Sequence, residues 1–236
     1  MLRKKRLYAC RMGRVRGLGM NKEWSEANKS MQLKIGKKGT FDEGIAELFK
    51  LRGEVMKCVD SFREKLRTEE FSAIPFINAD GYHNKTVGYS LWHIFRIEDI
   101  VAHSLIADDE QVFFNGGYRE RIKSPIITTG NELFKEEIAE FSRQLDISEL
   151  YSYIHETAES TERILSSLQF EDTKRKITEE KKQYLMSLNV VSSDERAVWL
   201  IDYWCDKNIG GLIKMPFSRH WIMHIEACLR IIAKLK

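Results

Sequence analysis

Apolar residues recur along this chain at the three- and four-residue intervals of amphipathic α-helices. The pattern predicts a short helical segment over residues 24–35, which ends at the glycine-flanked stretch 36–39. A long helix follows over residues 40–67, with Thr40 and Glu43 as a capping box. No stretch has the strict alternation that is typical of a half-buried strand.

The same periodicity and its start and stop signals continue to the C-terminus. A helix is expected over 87–107 after a cap at Thr86, and another ends at 144 after a capping box of Thr129 and Glu132. The next is expected over 147–168, opened by Asp146 and Glu149. Three more are expected over 175–188, from Ser192 to the Gly210-Gly211 pair, and from Pro216 onward. Four of these segments are long and amphipathic, and packing them together buries their apolar stripes. The predicted fold class is therefore all-α, a four-helix bundle with extra short helices in its connections.

The first twenty residues differ in charge from the rest of the chain. They hold seven Lys and Arg and no acid, so removing them changes the formal net charge from +3 to −4. We interpret residues 1–20 as a basic, disordered leader, or as sequence upstream of a true start at Met20, and residues 21–236 as one helical domain. The alternative is that the basic arm tethers the protein to nucleic acid or to a membrane.

Charge distribution and the lengths of the apolar runs argue against two classes of partner, nucleic acids and membranes. The interspersed charges of residues 21–236 form no continuous basic surface, so we expect no specific nucleic-acid partner. No apolar run approaches the roughly 18 residues of a membrane span, and no apolar secretory signal opens the chain, so we expect no membrane partner. The four cysteines form no C-x-x-C pair, a pattern that suits reduced thiols in a cytoplasmic protein.

Candidate chemistry lies in the histidines. His220 and His224 stand four residues apart on the last predicted helix and can point toward one ion. His93 borders the apolar arc of its helix and is the best third ligand, whereas His103 falls on the polar side beside Arg96. Three imidazoles leave one or more coordination positions for water or substrate, which is typical of a catalytic metal site.

A plainer interpretation is open for each of these histidines. A buried neutral imidazole is commonly hydrogen-bonded to a carbonyl or stacked on an aromatic ring such as Trp92 or Trp221. The H-x-x-x-H spacing is weak evidence by itself, and Trp221 stands where an H-E-x-x-H peptidase has its glutamate, which excludes that class. His83 in a loop and His155 on the third long helix are reserve ligands.

Two stretches together resemble a known family. SLWHIFRIED (90–99) and SRHWIMHIEA (218–227) are similar to the two motifs of the DinB/YfiT-like metalloenzyme superfamily. The resemblance implies a four-helix bundle that binds a divalent cation, zinc or nickel, through one histidine of the second helix and two of the last. Carried over to this chain, these ligands are His93, His220 and His224.

This resemblance spans about residues 21–236. Many members continue the last motif as H-x-x-x-H-x-G-Q, whereas Glu226 and Ala227 stand at the final two positions here, so the resemblance does not extend to that tail or to the substrate features tied to it. Characterised relatives include bacillithiol transferases and mycothiol-dependent maleylpyruvate isomerase. The resemblance therefore implies a metal-dependent thiol S-transferase, or a related hydrolase or isomerase, that acts on a small thiol or electrophile and forms a homodimer.

Two functions stay open at this point. In an enzyme the metal keeps an exchangeable position that a pocket reaches, whereas a non-catalytic metal-binding or partner-binding scaffold has a closed site. Tyr89, one turn before His93, is a candidate cavity residue. Glu98 and Asp99 point away from His93 in a straight helix and are expected as surface charges or ion-pair partners. No residue is assigned as a catalytic base, and the tryptophans are expected in the core.

Overall fold

The computed structural model describes residues 22–236, so the basic segment 1–20, predicted as a leader, lies outside the described residues. The described chain is helical throughout its regular structure. It contains no strand, and one isolated β-bridge joins Lys176 to Asn208. The prediction of an all-α fold is confirmed for this part of the protein.

Five helices form the frame of the described chain. They are α1 (Lys22–Ile35), α2 (Phe41–Asp60), α3 (Val87–Asp99), α4 (Ile147–Ser167) and α5 (His220–Leu235). Shorter α-helices span Phe62–Lys65, Val112–Asn115, Tyr118–Ile122, Glu136–Gln144, Glu179–Ser187, Trp199–Cys205 and Ile209–Ile213. A π-helical segment, Ile100–Ala107, extends α3, and another, Met215–Arg219, leads into α5. Single 3₁₀ turns lie at Lys38–Thr40, Thr68–Ser72 and Phe170–Lys174.

The α3 helix occupies the centre of the packing, and every one of its residues is buried. It contacts both α4 and α5, while α2 also contacts α5 and α4, and α1 packs on α2. The apolar side chains form two clusters, one around Trp92 and Trp221 and one around Val101 and Phe217. None of the helices between Lys22 and Lys236 has the length and apolar character needed to cross a bilayer.

Local capping signals located two of the helix starts correctly. The Thr86 hydroxyl accepts a hydrogen bond from the Tyr89 N–H at 3.0 Å, which starts α3. The Asp146 carboxylate accepts from the N–H groups of Ser148 and Glu149 and starts α4. These side chains satisfy backbone donors within their own turn, so the sequence is sufficient to identify them.

Two predicted capping boxes are wrong. The Thr40 hydroxyl donates to the Lys34 carbonyl at 2.9 Å and makes no cap hydrogen bond, because α1 folds back tightly against α2. Thr129 also starts no helix, and the next helix begins at Glu136. In addition, the long helix predicted over 40–67 is interrupted after Asp60. At Thr40 the neighbouring helix, rather than the local sequence, decides the outcome.

The connection before α5 is also less helical than predicted. The helix expected from Ser192 begins only at Trp199, and the one expected from residue 175 begins at Glu179. The Gly210-Gly211 pair ends no helix but lies inside Ile209–Ile213. Gly210 allows a close approach there, because a Cβ would lie 3.2 Å from the backbone oxygen of Thr173 and a larger residue would require Thr173 to shift by a few tenths of an ångström.

Two glycines of α2 form a matched test of the contact between α1 and α2. A Cβ at Gly44 would lie 2.7 Å from the backbone nitrogen of Ile35, whereas a Cβ at Gly53 would meet nothing within 4 Å. We expect Gly44→Ala to lower the free energy of unfolding by about 1 to 3 kcal/mol through overpacking. Gly53→Ala should raise it by about 0.5 to 1 kcal/mol through helix propensity. Urea unfolding of both variants measures this, and equal effects would contradict the close approach.

Candidate metal centre

Three histidines converge where α3 meets α5. His93 lies in the middle of α3, and His220 and His224 lie in the first two turns of α5. The ring centroid of His93 is 5.0 Å from that of His220 and 4.8 Å from that of His224. One ring nitrogen from each residue lies within 4.8 Å of the other two, and all three side chains are buried. They are therefore close enough to bind one metal ion.

A backbone carbonyl orients the first of these imidazoles. Nδ1 of His93 lies 2.8 Å from the carbonyl oxygen of Thr129, so this nitrogen carries the proton and donates it. Its other nitrogen, Nε2, then presents a lone pair toward α5. Histidines that bind metals are commonly held in this way, with the second ring N–H bonded to a carbonyl or carboxylate. Thr129, predicted as a helix cap, instead serves as this orienting group.

The spacing of the nitrogens fits a shared ion. Nε2 of His93 and Nε2 of His220 are 3.2 Å apart. Two nitrogens that bind one ion at about 2.0 to 2.1 Å with tetrahedral angles lie about 3.3 Å apart. Two neutral imidazoles also hydrogen-bond at such a distance when one of them donates. Distance alone therefore leaves both arrangements open for this pair.

His224 distinguishes the two arrangements. Both of its ring nitrogens are buried, and neither finds a hydrogen-bond partner among residues 22–236. A buried polar atom without a partner costs about 1 to 3 kcal/mol, and most buried side-chain polar atoms in proteins have one. Nδ1 of His220 is unpartnered in the same way. A metal ion shared with His93 supplies a partner for one nitrogen of each ring, so this donor set fits the ion that the resemblance implies.

The three imidazoles are neutral at physiological pH. Burial lowers the pKa of His93 to about 4, against the raising effect of its hydrogen bond to Thr129, and the charge of Lys85 adds to the lowering. Burial also holds the pKa of His220 and of His224 well below the usual value of 6.5. Neutral imidazole is the form that ligates metals.

A cavity of about 310 Å³ opens beside the three rings. Besides the histidines, its walls are aromatic or aliphatic side chains and one amide: Tyr82, Ile97, Asn131, Trp199, Leu200, Tyr203, Trp204, Met215 and Pro216. The volume is at the small end of the range for small-molecule sites. Within the described chain, no carboxylate lines this cavity. A bound ion would therefore face a mostly apolar space large enough for a small ligand.

The remaining histidines take other roles. His103 was predicted on a polar face, but it is buried, with Nδ1 2.5 Å from Asp109 Oδ1 and Nε2 3.1 Å from Ser160 Oγ. His155 is half exposed and pairs with Asp60. The ring of His83 packs edge-on against a phenylalanine in its loop. None of these three lines the cavity.

The acidic residues of α3 are not surface charges. Glu98 is fully buried and paired with Arg52 of α2, so the ion-pairing half of the prediction is confirmed. Asp99 is also fully buried and accepts hydrogen bonds from the backbone N–H groups of Val112 and Phe113. Both carboxylates support the packing around the site, and neither faces its cavity.

For two aromatic residues near the site, the structure differs from the sequence analysis. Tyr89, the predicted cavity residue, stacks on His93 at 5.4 Å and donates its hydroxyl to the Gly130 carbonyl, but does not line the cavity. Tyr82, which was not predicted, packs edge-on against His224 at 4.7 Å. It follows Gly81, whose left-handed φ of +87° makes the Asp80-Gly81 turn possible. The Asp-Gly pair predicted this turn from the sequence, but it did not indicate that the turn lies beside the histidines.

Trp199 is the other residue that sequence reasoning missed. It lines the cavity and is 49% exposed, although all five tryptophans were expected as core. A half-exposed tryptophan in a cavity wall offers a large apolar surface to a bound molecule.

No protein-family model matches this chain, and no curated protein matches it at a significant level. The geometry of the cavity and the resemblance of the two motifs are therefore the observations that bear on function.

Proposed function

We propose that this protein binds one divalent metal ion, zinc or nickel, through His93, His220 and His224. The observation that carries the proposal is the set of buried, unpartnered imidazole nitrogens on the wall of a ligand-sized cavity. Sites with three protein ligands and an open position are typical of catalytic metals, whereas structural sites are closed by four. We also propose that α2, α3, α4 and α5 form a DinB/YfiT-like four-helix bundle, and the contacts of α3 with α4 and α5, and of α2 with both, support this proposal.

We further propose that the protein is a metal-dependent thiol S-transferase, or a related isomerase or hydrolase. A divalent ion at this site supplies a Lewis acid that favours the ionised form of a small thiol or of water near neutral pH. The lack of a carboxylate in the described cavity wall suits a nucleophile that needs no base from the protein. The substrates would be a small thiol and an electrophile, and by the same resemblance we expect a cytoplasmic homodimer.

The side chains around the ion would position the reactants. The Thr129 carbonyl holds the His93 ring in one tautomer, and Tyr82 covers the outer side of His224. Trp204 and Ile97, which are both buried, would add apolar surface to the wall beside the reactants. The Asn131 amide is a neutral polar group of the cavity wall that would orient a bound molecule.

Metal-dependent turnover is the direct test of this function. Purified protein should be loaded with zinc or nickel and mixed with small thiols and a panel of electrophiles, including epoxides and alkyl halides. We expect thiol consumption that stops on chelation and returns on adding the metal. Bound metal without any such turnover would instead support the alternative, a non-catalytic metal-binding scaffold.

A further inference from the structure

Four aromatic side chains line the cavity beside the three histidines, namely Tyr82, Trp199, Tyr203 and Trp204. Trp204 is buried, whereas Tyr82 is 43% exposed and Trp199 is 49% exposed. Single exposed apolar residues are common on protein surfaces, but large ones that share one concave wall are typical of a binding surface. The wall therefore offers both buried and exposed ring surface to one bound molecule.

The position of the Trp199 ring is fixed by two contacts within the described chain. Trp199 begins the short helix Trp199–Cys205, and its indole N–H donates to the Arg196 carbonyl at 2.9 Å. Tyr203, one turn later, packs edge-on against it with the ring centroids 5.6 Å apart, which is a favourable arrangement of two aromatic rings. A wall that is already ordered loses little conformational freedom when a ligand binds.

This wall carries no charged side chain in the part of the chain that the structure describes. Its lining contains no Lys, Arg, Asp or Glu, and burial keeps its three imidazoles neutral. Lys207 lies 3.5 Å from the centroid of the Tyr203 ring but does not line the cavity, and its ammonium donates to the Tyr203 carbonyl. A charged group packed against this wall would lose its water without gaining a partner, so the wall favours an uncharged molecule.

The volume of the cavity sets the size of that molecule. It is about 310 Å³, whereas an apolar cavity of about 150 Å³ is large enough to hold benzene. This cavity therefore has room for roughly two fused rings with a small substituent.

We propose that the cavity binds an uncharged aromatic molecule of one or two rings, and that this molecule is the electrophilic substrate. Its ring would pack against Trp199 and Trp204, and its reactive atom would face the histidines. The inference rests on the proposed function only in taking the bound molecule to be the substrate.

The test uses three probes with the same carbon skeleton: 2-naphthalenemethanol, its fully saturated analogue and 2-naphthoate. Calorimetric titration of the full chain, metal-free and zinc-loaded, measures their affinities. We expect the saturated alcohol to bind about tenfold more weakly than the aromatic one in both forms, since tenfold corresponds to about 1.4 kcal/mol. In metal-free protein 2-naphthoate should also bind at least about tenfold more weakly, because no described side chain of the wall pairs with its carboxylate.

Variants of Trp199 separate ring contacts from general packing. Trp199→Leu should weaken the aromatic alcohol about fivefold and leave the saturated one nearly unchanged, whereas Trp199→Phe should keep most of the preference. Tyr184→Leu is the matched control, because Tyr184 is 47% exposed and lies outside the cavity wall, so this variant should keep all of the preference.

Four outcomes would overturn the proposal. They are equal affinities for the two alcohols, tighter binding of 2-naphthoate by metal-free protein, an equal loss for both alcohols in Trp199→Leu, and no binding of any probe. Failure of the metal function would look different, as protein without metal or turnover whose preference for the aromatic alcohol is intact.

Discussion

Replacing His93, His220 or His224 by Ala is expected to abolish stoichiometric metal binding, whereas unsubstituted protein should hold about one divalent ion per chain. Each substitution removes one of only three protein ligands. Loss of an outer hydrogen-bond partner alone commonly weakens a metal site 10- to 100-fold, so loss of a ligand should weaken it at least about 100-fold. Elemental analysis after gel filtration measures occupancy, and competition with a chelating dye measures affinity.

Histidines away from the cluster are the matched controls for this experiment. His155→Ala removes a half-exposed side chain that pairs with Asp60, and His103→Ala removes a buried one that contacts Asp109 and Ser160. Both variants should retain the metal. Equal metal content in all the variants would refute the ligand assignment, and equal loss in all of them would indicate a general effect on folding.

Removing the charge of Glu98 is expected to produce the largest loss of stability. Its carboxylate accepts two hydrogen bonds from the Arg52 guanidinium, at 2.8 and 2.9 Å, and one from the Trp221 indole at 2.7 Å. Both members of the pair are buried, and the guanidinium also lies 4.2 Å from the Trp221 ring centroid. Glu98→Gln leaves this cation without its main counter-charge, since Glu162 contacts it from a partly exposed position.

The expected effect of Glu98→Gln is a loss of about 3 to 5 kcal/mol in the free energy of unfolding, nearer the lower figure because Glu162 remains. Glu54→Gln is the control, because Glu54 pairs with Lys57 at the exposed surface of α2 and should contribute less than about 1 kcal/mol. Urea unfolding at neutral pH measures both variants. A loss below about 1 kcal/mol for Glu98→Gln would show that the buried pair contributes little to stability.

These two predictions also differ in how far the sequence anticipated them. The candidate ligand set was indicated by the position of His93 on the apolar margin of its helix and by the spacing of His220 and His224, and it was assigned through the family resemblance. For Glu98, the sequence left open whether the residue is a surface charge or an ion-pair partner, and it did not identify Arg52 as the partner. The reason is that helical periodicity gives the direction of a side chain but not the identity of the helix that packs against it.

His103 illustrates the same limit. Its angle around α3 agrees with a polar position, yet the side chain is buried because Asp109 and Ser160 contact it. Asp109 follows the π-helical segment that contains His103, and Ser160 lies on α4, so neither contact is encoded in the local pattern. The sequence therefore predicted polar neighbours for His103 correctly, but its position on the polar face wrongly suggested an exposed side chain.

By itself, the sequence determined the all-α class, the approximate extent of the long helices and the caps at Thr86 and Asp146, because periodicity and capping depend on residues within a turn or two of one another. Only the tertiary structure decided which polar side chains are buried together, that Thr129 orients His93, and that Tyr82 and Trp199 border the cavity. Those features join segments far apart in the chain. Their contacts depend on how whole helices pack, which no local pattern specifies.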